Sequence, residues 1–402
     1  MTDDARHDIV LFSSADWNAR YWTNKQHIAA RLAARGHRVL YIETVGLRQP
    51  GLGKLDRKRI AARVMRGLSP IRKVRDNLWT LSPLTIPFGH ASPAIKTANT
   101  LQLRIRINRW LSANGIENPL VWTYHPYMLD VIPAAKGSKL IYHCVDDLGA
   151  IPGIDRVTFR RAEHRLVERA DAIFTTSHEL QQHCEAIAGA RTHYFGNVAD
   201  IAHFATARNC TDLPLELAAI PRPRLGYAGV LSDFKLDFGL LNTVVEAHPE
   251  WQLVFIGDER EGQHDDELSR LLQRPNVHLL GWKPYQDLPR YLAGFDVALL
   301  PQHLNDYTRA MFPMKFFEYL AAGCPVISTP LPALRDLTDY FKAAATPQSF
   351  ATATTEVLAN KPAPLALDHP VLQQNSWDYR LSAMMAIIIA IPAQTGKTAQ
   401  LL

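Results

Sequence analysis

Phe312-Pro313-Met314-Lys315-Phe316-Phe317-Glu318-Tyr319-Leu320-Ala321-Ala322-Gly323-Cys324-Pro325-Val326-Ile327-Ser328 reads as a helix followed at once by a strand. Pro313 suits the opening turn of a helix and Gly323 its stop, and Val326–Ser328 is the short apolar run of a buried strand. A further apolar run, Val297–Leu300, precedes the helix by a loop's length, so the unit is strand, loop, helix, strand. Helices that follow parallel strands turn their N-termini toward the ligand-binding edge of the sheet. Unpaired backbone N–H groups and the helix dipole favour an anion there, and Lys315 adds a full charge suited to a diphosphate. Glu318, one turn on, is placed to accept hydrogen bonds from ribose hydroxyls. A surface Lys–Glu pair worth about 0.2–0.5 kcal/mol explains the same spacing without a ligand.

The same alternation extends in both directions. Toward the N-terminus it gives strands at Arg224–Ala228, Gln252–Ile256 and Val277–Leu280, with helices at Phe238–Ala247, Asp265–Leu272 and Gln286–Leu292. A turn-rich interval at 206–223, carrying Asn209, Asp212, Pro214, Pro221 and Pro223, interrupts the rhythm. Before it, strands at Ile9–Phe12, Val39–Ile42, Leu120–Tyr124, Leu140–Val145, Ala172–Thr175 and Thr192–Phe195 alternate with helices at Lys25–Arg35, Phe159–Ala170 and Glu179–Ile187. The expected class is α/β, with two Rossmann-like doubly wound domains facing across a cleft: residues 1–205, residues 206–370, and a terminal helix and tail over 371–402 crossing back to the first. The length of 402 residues and the 47% apolar content support two cores and exclude global disorder.

The segment at 312–328 resembles the donor-binding signature of GT-B glycosyltransferases, in which Lys or Arg, then Glu, then Ala-Ala-Gly-x-Pro-Val recur in the C-terminal domain. The resemblance extends to Gly226-Tyr227-Ala228-Gly229, Phe255-Ile256-Gly257-Asp258, Val277–Trp282, Leu288–Leu292 and Phe295–Pro301. It implies that Gly229 lets backbone amides approach the donor phosphates and that Lys235 reaches the same phosphates. It also implies that the loop with Gly281, Trp282 and Lys283 receives the nucleotide base, while Met314, Lys315 and Glu318 hold diphosphate and ribose. One departure stands out. Many retaining members of the large family 4 group carry a second Glu eight positions before the one matching Glu318; here that position is Ala310, beside Arg309. The departure favours inverting transfer, and Arg309 points to an acidic sugar on the donor.

An inverting transfer needs a general base. Leu140-Ile141-Tyr142-His143-Cys144-Val145-Asp146-Asp147 is a strand running into paired acids, where a carboxylate can take the proton from an acceptor hydroxyl. A turn or helix cap uses Asp in the same way. The element is similar to the strand-then-Asp-Asp passage of teichuronic-acid biosynthesis glycosyltransferases, and an Asp in the N-terminal domain is the base implied by the xanthan glucuronosyltransferase group. Asp146 is preferred narrowly to Asp147. The Asp-Asp spacing does not fit a DxD metal motif, so no metal and no cofactor are expected, the nucleotide sugar being a substrate. Trp17, Trp22 and His125 are candidate acceptor contacts, although aromatic rings and strand-end histidines are often structural.

The net charge of +5 hides an uneven distribution. Between Arg48 and Arg75 lie ten basic residues and one acid, Asp56, so the rest of the chain is net negative. A basic helix interleaved with Leu52, Leu55, Ile60, Val64, Met65, Leu68 and Ile71 suits an anionic membrane surface or a lipid-linked pyrophosphate; a solvated helix is the plainer reading. No nucleic-acid module is recognisable, so no nucleic acid is expected. The four cysteines make no disulfide or zinc pattern, and neither a secretory signal nor a 20-residue apolar span is present, which points to a cytoplasmic, peripherally bound chain. The resemblance thus implies transfer of a sugar from a nucleoside diphosphate, UDP above others, to a hydroxyl of a lipid-linked or saccharide acceptor. The alternatives are a nucleotide-sugar 2-epimerase on the same fold and a non-catalytic sugar- or nucleic-acid-binding protein.

Overall fold

The computed structural model describes residues 6–44, 67, 69–84, 93–132, 138–151, 153–259 and 265–392. The chain divides into two compact units, Met1–Phe195 with Leu381–Leu402, and Gly196–Arg380. The second unit begins ahead of the turn-rich interval because Ile201, Phe204 and Ala207 belong to its core.

The first unit is built on strands β1 (Asp8–Phe12), β2 (Arg38–Ile42), β3 (Arg72–Arg75), β4 (Leu78–Leu81), β5 (Leu120–Thr123), β6 (Leu140–Cys144), β7 (Ala172–Thr175) and β8 (Thr192–Tyr194). They form one sheet in the order β3-β4-β2-β1-β5-β6-β7-β8. Every pairing is parallel except β3 with β4. The chain runs outward from β1 in one direction and then outward from β5 in the other, so the topological switch lies between β1 and β5. The expected basic helix is corrected at its end. Residues 72–75 form the edge strand β3, with Arg72, Lys73 and Arg75 exposed, a short charged edge that discourages pairing with another chain. Of the rest of that interval, residues 48–66 and 68 lie outside the described residues.

The second unit has β9 (Arg224–Ala228), β10 (Gln252–Ile256), β11 (Val277–Leu279), β12 (Val297–Leu300), β13 (Val326–Ser328) and β14 (Lys342–Ala343). This sheet is parallel throughout, in the order β11-β10-β9-β12-β13-β14. Along β12 the side chains of Val297 and Leu299 join one core, and those of Ala298 and Leu300 the other. Burial on both faces explains why the strands read as unbroken apolar runs. Each fully buried aliphatic side chain contributes roughly 1.5–3 kcal/mol. The switch point lies between β9 and β12, with Gly229 and Pro301 just beyond the two strands.

The helix Lys315–Ala322 is fixed at both ends of its span. Gly323 closes it in the left-handed conformation at φ 82°, with Cys324 N–H donating to Tyr319 O at 2.9 Å. The Arg208 guanidinium donates to Ala321 O at 2.7 Å and Leu320 O at 3.0 Å, meeting the negative end of the helix dipole. Tyr319 OH accepts from Ala228 N–H at 3.0 Å and so ties the helix to the end of β9. The helix Trp377–Ala390 belongs to both units. Trp377 N–H donates to Ala199 O at 3.3 Å in the second unit, and Lys139 Nζ donates to Ile388 O at 2.7 Å in the first.

Candidate active site

In the second unit three adjacent parallel strands run out into glycines of positive φ: Gly229 at 146°, Gly257 at 145° and Gly281 at 72°. Their backbones are laced together, Gly229 N–H donating to Ile256 O at 2.7 Å and Gly257 N–H to Gly281 O at 2.9 Å. The carboxyl edge of the sheet is therefore a rigid, side-chain-poor rim. Met314 caps the helix that rises beside it, and Lys315 is the first helical residue. Lys315 Nζ lies 5.5 Å from the Tyr227 ring centroid. A β-carbon on Gly229 would fall 2.6 Å from Lys315 Nζ and closer still to its Cε. The missing side chain is what leaves room for the ammonium at the switch point.

Glu318, a turn along the helix from Lys315, keeps some open surface but is crowded by protein atoms. Burial pushes its carboxyl up to about 7, against the lowering influence of the Lys315 charge. A carboxylate there gains from hydrogen-bond donors, which hydroxyls of a ligand supply. Gly229→Ala is expected to displace the Lys315 ammonium and to impose backbone strain of order 1–3 kcal/mol. Melting temperature and affinity for UDP should both fall, the latter about two- to tenfold if half of that strain is felt on binding. Thermal melting and calorimetric titration read the two effects, and an alanine variant unchanged in both would show that the close approach has no consequence.

The other donor candidates are distributed around this rim. Lys235 Nζ sits 4.8 Å over the Tyr307 ring, in the turn that follows β9. Trp282 N–H donates to Asp258 Oδ1 at 3.2 Å, which fixes the loop after Gly281. Lys283 is engaged elsewhere: its ammonium pairs with Glu216 at 2.7 Å, and Glu216 also accepts from Tyr291 OH at 2.6 Å. Arg309 is exposed at the end of the short helix Asp306–Arg309, and Ala310 beside it is buried.

The first unit carries the paired acids. Asp146 faces Lys25 Nζ at 3.8 Å, the lysine coming from the first turn of the helix Asn24–Ala34 that follows β1. Asp147 is bound by Arg160 at 2.6 Å. Arg160 also holds the buried Glu163 at 2.7 Å, and Glu163 accepts from Tyr142 OH at 2.7 Å. Burial alone would raise the Glu163 carboxyl, but bonds from His183, Tyr142 and Arg160 overcome it and leave it below its ordinary range. The two acids thus differ: Asp147 anchors a polar network, whereas the Asp146 side chain keeps 24% of its surface exposed. Trp17 is buried, its ring 5.1 Å from Trp22 and 5.4 Å from Tyr41, while the Arg75 guanidinium lies 5.2 Å from the Trp22 ring. His125 is buried and its Nδ1 accepts from Tyr127 N–H at 3.3 Å. Sequence reasoning gives no site role to Lys25 or Arg160, whose carboxylate partners Asp146 and Asp147 come from another element of the fold. Among the described residues no group of three or more His, Cys, Asp and Glu is arranged to hold a metal ion.

Residues 222–360 match the family described as Glycosyl transferases group 1. That stretch is similar to the group 1 glycosyl transferases. The group 1 segment holds the rim, Lys315 and Glu318, and the whole chain has the GT-B fold. Among curated proteins, the chain is 30% identical over 234 residues to TuaH of Bacillus subtilis (strain 168), named as a teichuronic acid biosynthesis glycosyltransferase, covering 55% of this chain and 58% of TuaH. The matched region therefore spans under two thirds of that relative. Among solved structures, a sucrose-phosphate synthase from Thermosynechococcus elongatus is similar with TM-score 0.68 at 16% identity, over 96% of this chain and 98% of that one. HepE of Anabaena in complex with UDP-glucose is similar with TM-score 0.62 at 15% identity, over 96% and 100%. The matched family and the curated relative are both named as glycosyltransferases.

Proposed function

We propose that this chain transfers a sugar from a nucleoside diphosphate, UDP in the first instance, to a hydroxyl of a lipid-linked or polysaccharide acceptor, with inversion and without a metal. The observation that carries the reading is the Lys315 ammonium seated over Gly229 at the switch point of the group 1 segment, with Glu318 a turn behind it. In this reading the 206–370 domain holds the donor, with Gly229, Lys235, Trp282, Met314, Lys315 and Glu318 as its contacts. The 1–205 domain supplies the acceptor side. UDP is favoured because HepE was solved with UDP-glucose, and a polysaccharide acceptor because TuaH is named for teichuronic acid synthesis.

The chemistry balances with few groups. The acceptor oxygen attacks the anomeric carbon as its proton passes to the Asp146 carboxylate, and the bond from that carbon to the phosphate oxygen breaks, its electron pair leaving with the diphosphate. Lys315 and the N–H groups at the helix start take up the charge that develops on the leaving group. Inversion accords with Ala310, which is buried and stands where many retaining members of the resembled family 4 group carry Glu. Among the described residues no helix is long and apolar enough to cross a membrane.

A thermal-shift screen across UDP-, GDP- and dTDP-sugars tests the reading. One nucleotide series should raise the melting temperature, since a ligand at 100 times its Kd adds about 2.7 kcal/mol to the folded state. A chain whose melting ignores every nucleoside diphosphate is not this enzyme.

A further inference from the structure

We propose that Lys25 is the positioning residue of the proton-accepting carboxylate: its ammonium holds the Asp146 side chain in place. The inference rests on Asp146 acting as the base in the transfer described above. Three observations carry it. Lys25 is buried at 6% exposure, an unusual position for a lysine in the first turn of a helix. Its ammonium lies 3.8 Å from Asp146 Oδ2 and 5.6 Å from the Tyr124 ring centroid. The two partners come from elements that the sheet brings together, Lys25 from the helix that follows β1 and Asp146 from the loop that follows β6.

Tyr124, Cys144 and Asp147 also belong to the surroundings of the pair. Tyr124 comes from the chain just after β5 and faces Lys25 with its ring. Cys144, at the end of β6, is buried and held protonated well above its ordinary range, chiefly by its contact with Cys184 and by burial. Asp147, the neighbour in sequence, is neutralised by Arg160 from the helix Arg156–Arg169. Asp146 is therefore the nearby anion that can compensate Lys25. Burial lowers the ammonium's own affinity for its proton, while the carboxylate opposes that loss. The carboxylate thus supports the charge on the buried ammonium, and a partly exposed carboxylate is steered by a partner that cannot move away.

The test combines stability and kinetics. Asp146→Asn leaves the Lys25 charge buried without its anion, so it should lower the melting temperature, and adding Lys25→Met should recover part of that loss. Non-additivity of this kind reports the pair directly and needs no assay of transfer. In the transfer assay, Lys25→Met should lower kcat about 10- to 100-fold with the donor KM changed less than about threefold. Lys25→Arg, which keeps the charge, should recover most of that kcat. Lys25→Gln, shorter but uncharged, serves in the same comparisons if the Met variant does not fold. Additive melting shifts, or an unchanged kcat in both neutral variants, overturn the inference. Full transfer by Asp146→Asn with the melting coupling intact overturns the base assignment instead and leaves the pair standing.

Discussion

Asp146→Asn should lower the rate of transfer about 10²- to 10⁴-fold while leaving affinity for the nucleotide donor within about twofold. The size is that of a lost general base, and the sparing of donor affinity follows because the proposed donor contacts all lie in the other unit. The choice of Asp146 over its neighbour comes from their partners. Asp147 is held at 2.6 Å by a guanidinium that also binds Glu163, so its carboxylate is committed to the network under the loop. Asp147→Asn should therefore show its effect mainly as a lower melting temperature, roughly 1.5–3 kcal/mol for a weakened charge-assisted bond, with kcat reduced far less than in Asp146→Asn. Steady-state kinetics and melting curves on the two variants decide it. The reverse pattern, with Asp147→Asn losing activity and Asp146→Asn keeping it, would transfer the role to Asp147.

Lys315→Met should cost a factor of roughly 10²–10³ in kcat/KM, because it removes the full positive charge proposed for the leaving diphosphate at the start of the helix. The same variant should weaken UDP binding in calorimetric titration, with uridine, which lacks the phosphates, little affected. Its pH dependence adds an independent sign. Glu318 has its carboxyl pushed up to about 7 by burial, and the Lys315 charge acts to lower it. If ribose hydroxyls bind the ionised form, UDP affinity of the unaltered protein rises as pH increases through about 7 and then levels off. Without the lysine the carboxyl titrates higher, so this rise should move to more alkaline pH. An affinity for UDP that is unchanged in Lys315→Met would place the diphosphate somewhere else.

Much of this arrangement is legible in the sequence because it is local. Val297–Leu300 and Val326–Ser328 read as buried strands because both sheet faces bury their residues, and Gly323 marks the end of the helix between them because only the left-handed conformation closes it there. Asp146 and Asp147 stand out because they end a strand. Their difference does not, since Lys25 and Arg160 are brought to them by strand order and not by spacing. Lys25 in particular reads as an ordinary polar residue on an amphipathic helix until β1 and β6 are placed in one sheet. Lys283 shows the opposite case: its position in the chain suggests a ligand contact, but Glu216, remote in sequence, holds its ammonium. Arg72–Arg75 is hidden for another reason, an exposed edge strand having no apolar face to show a period of two.

The most direct test uses a donor labelled with ¹³C at the anomeric carbon, chosen as the nucleotide sugar that most stabilises the protein, incubated with a bacterial lipid extract as acceptor and followed by NMR. The expected result is release of the nucleoside diphosphate together with a new glycosidic carbon signal of inverted configuration, lost in Asp146→Asn. A sugar that stays bonded to its diphosphate, unchanged or altered at C2, or a product of retained configuration, would contradict the account.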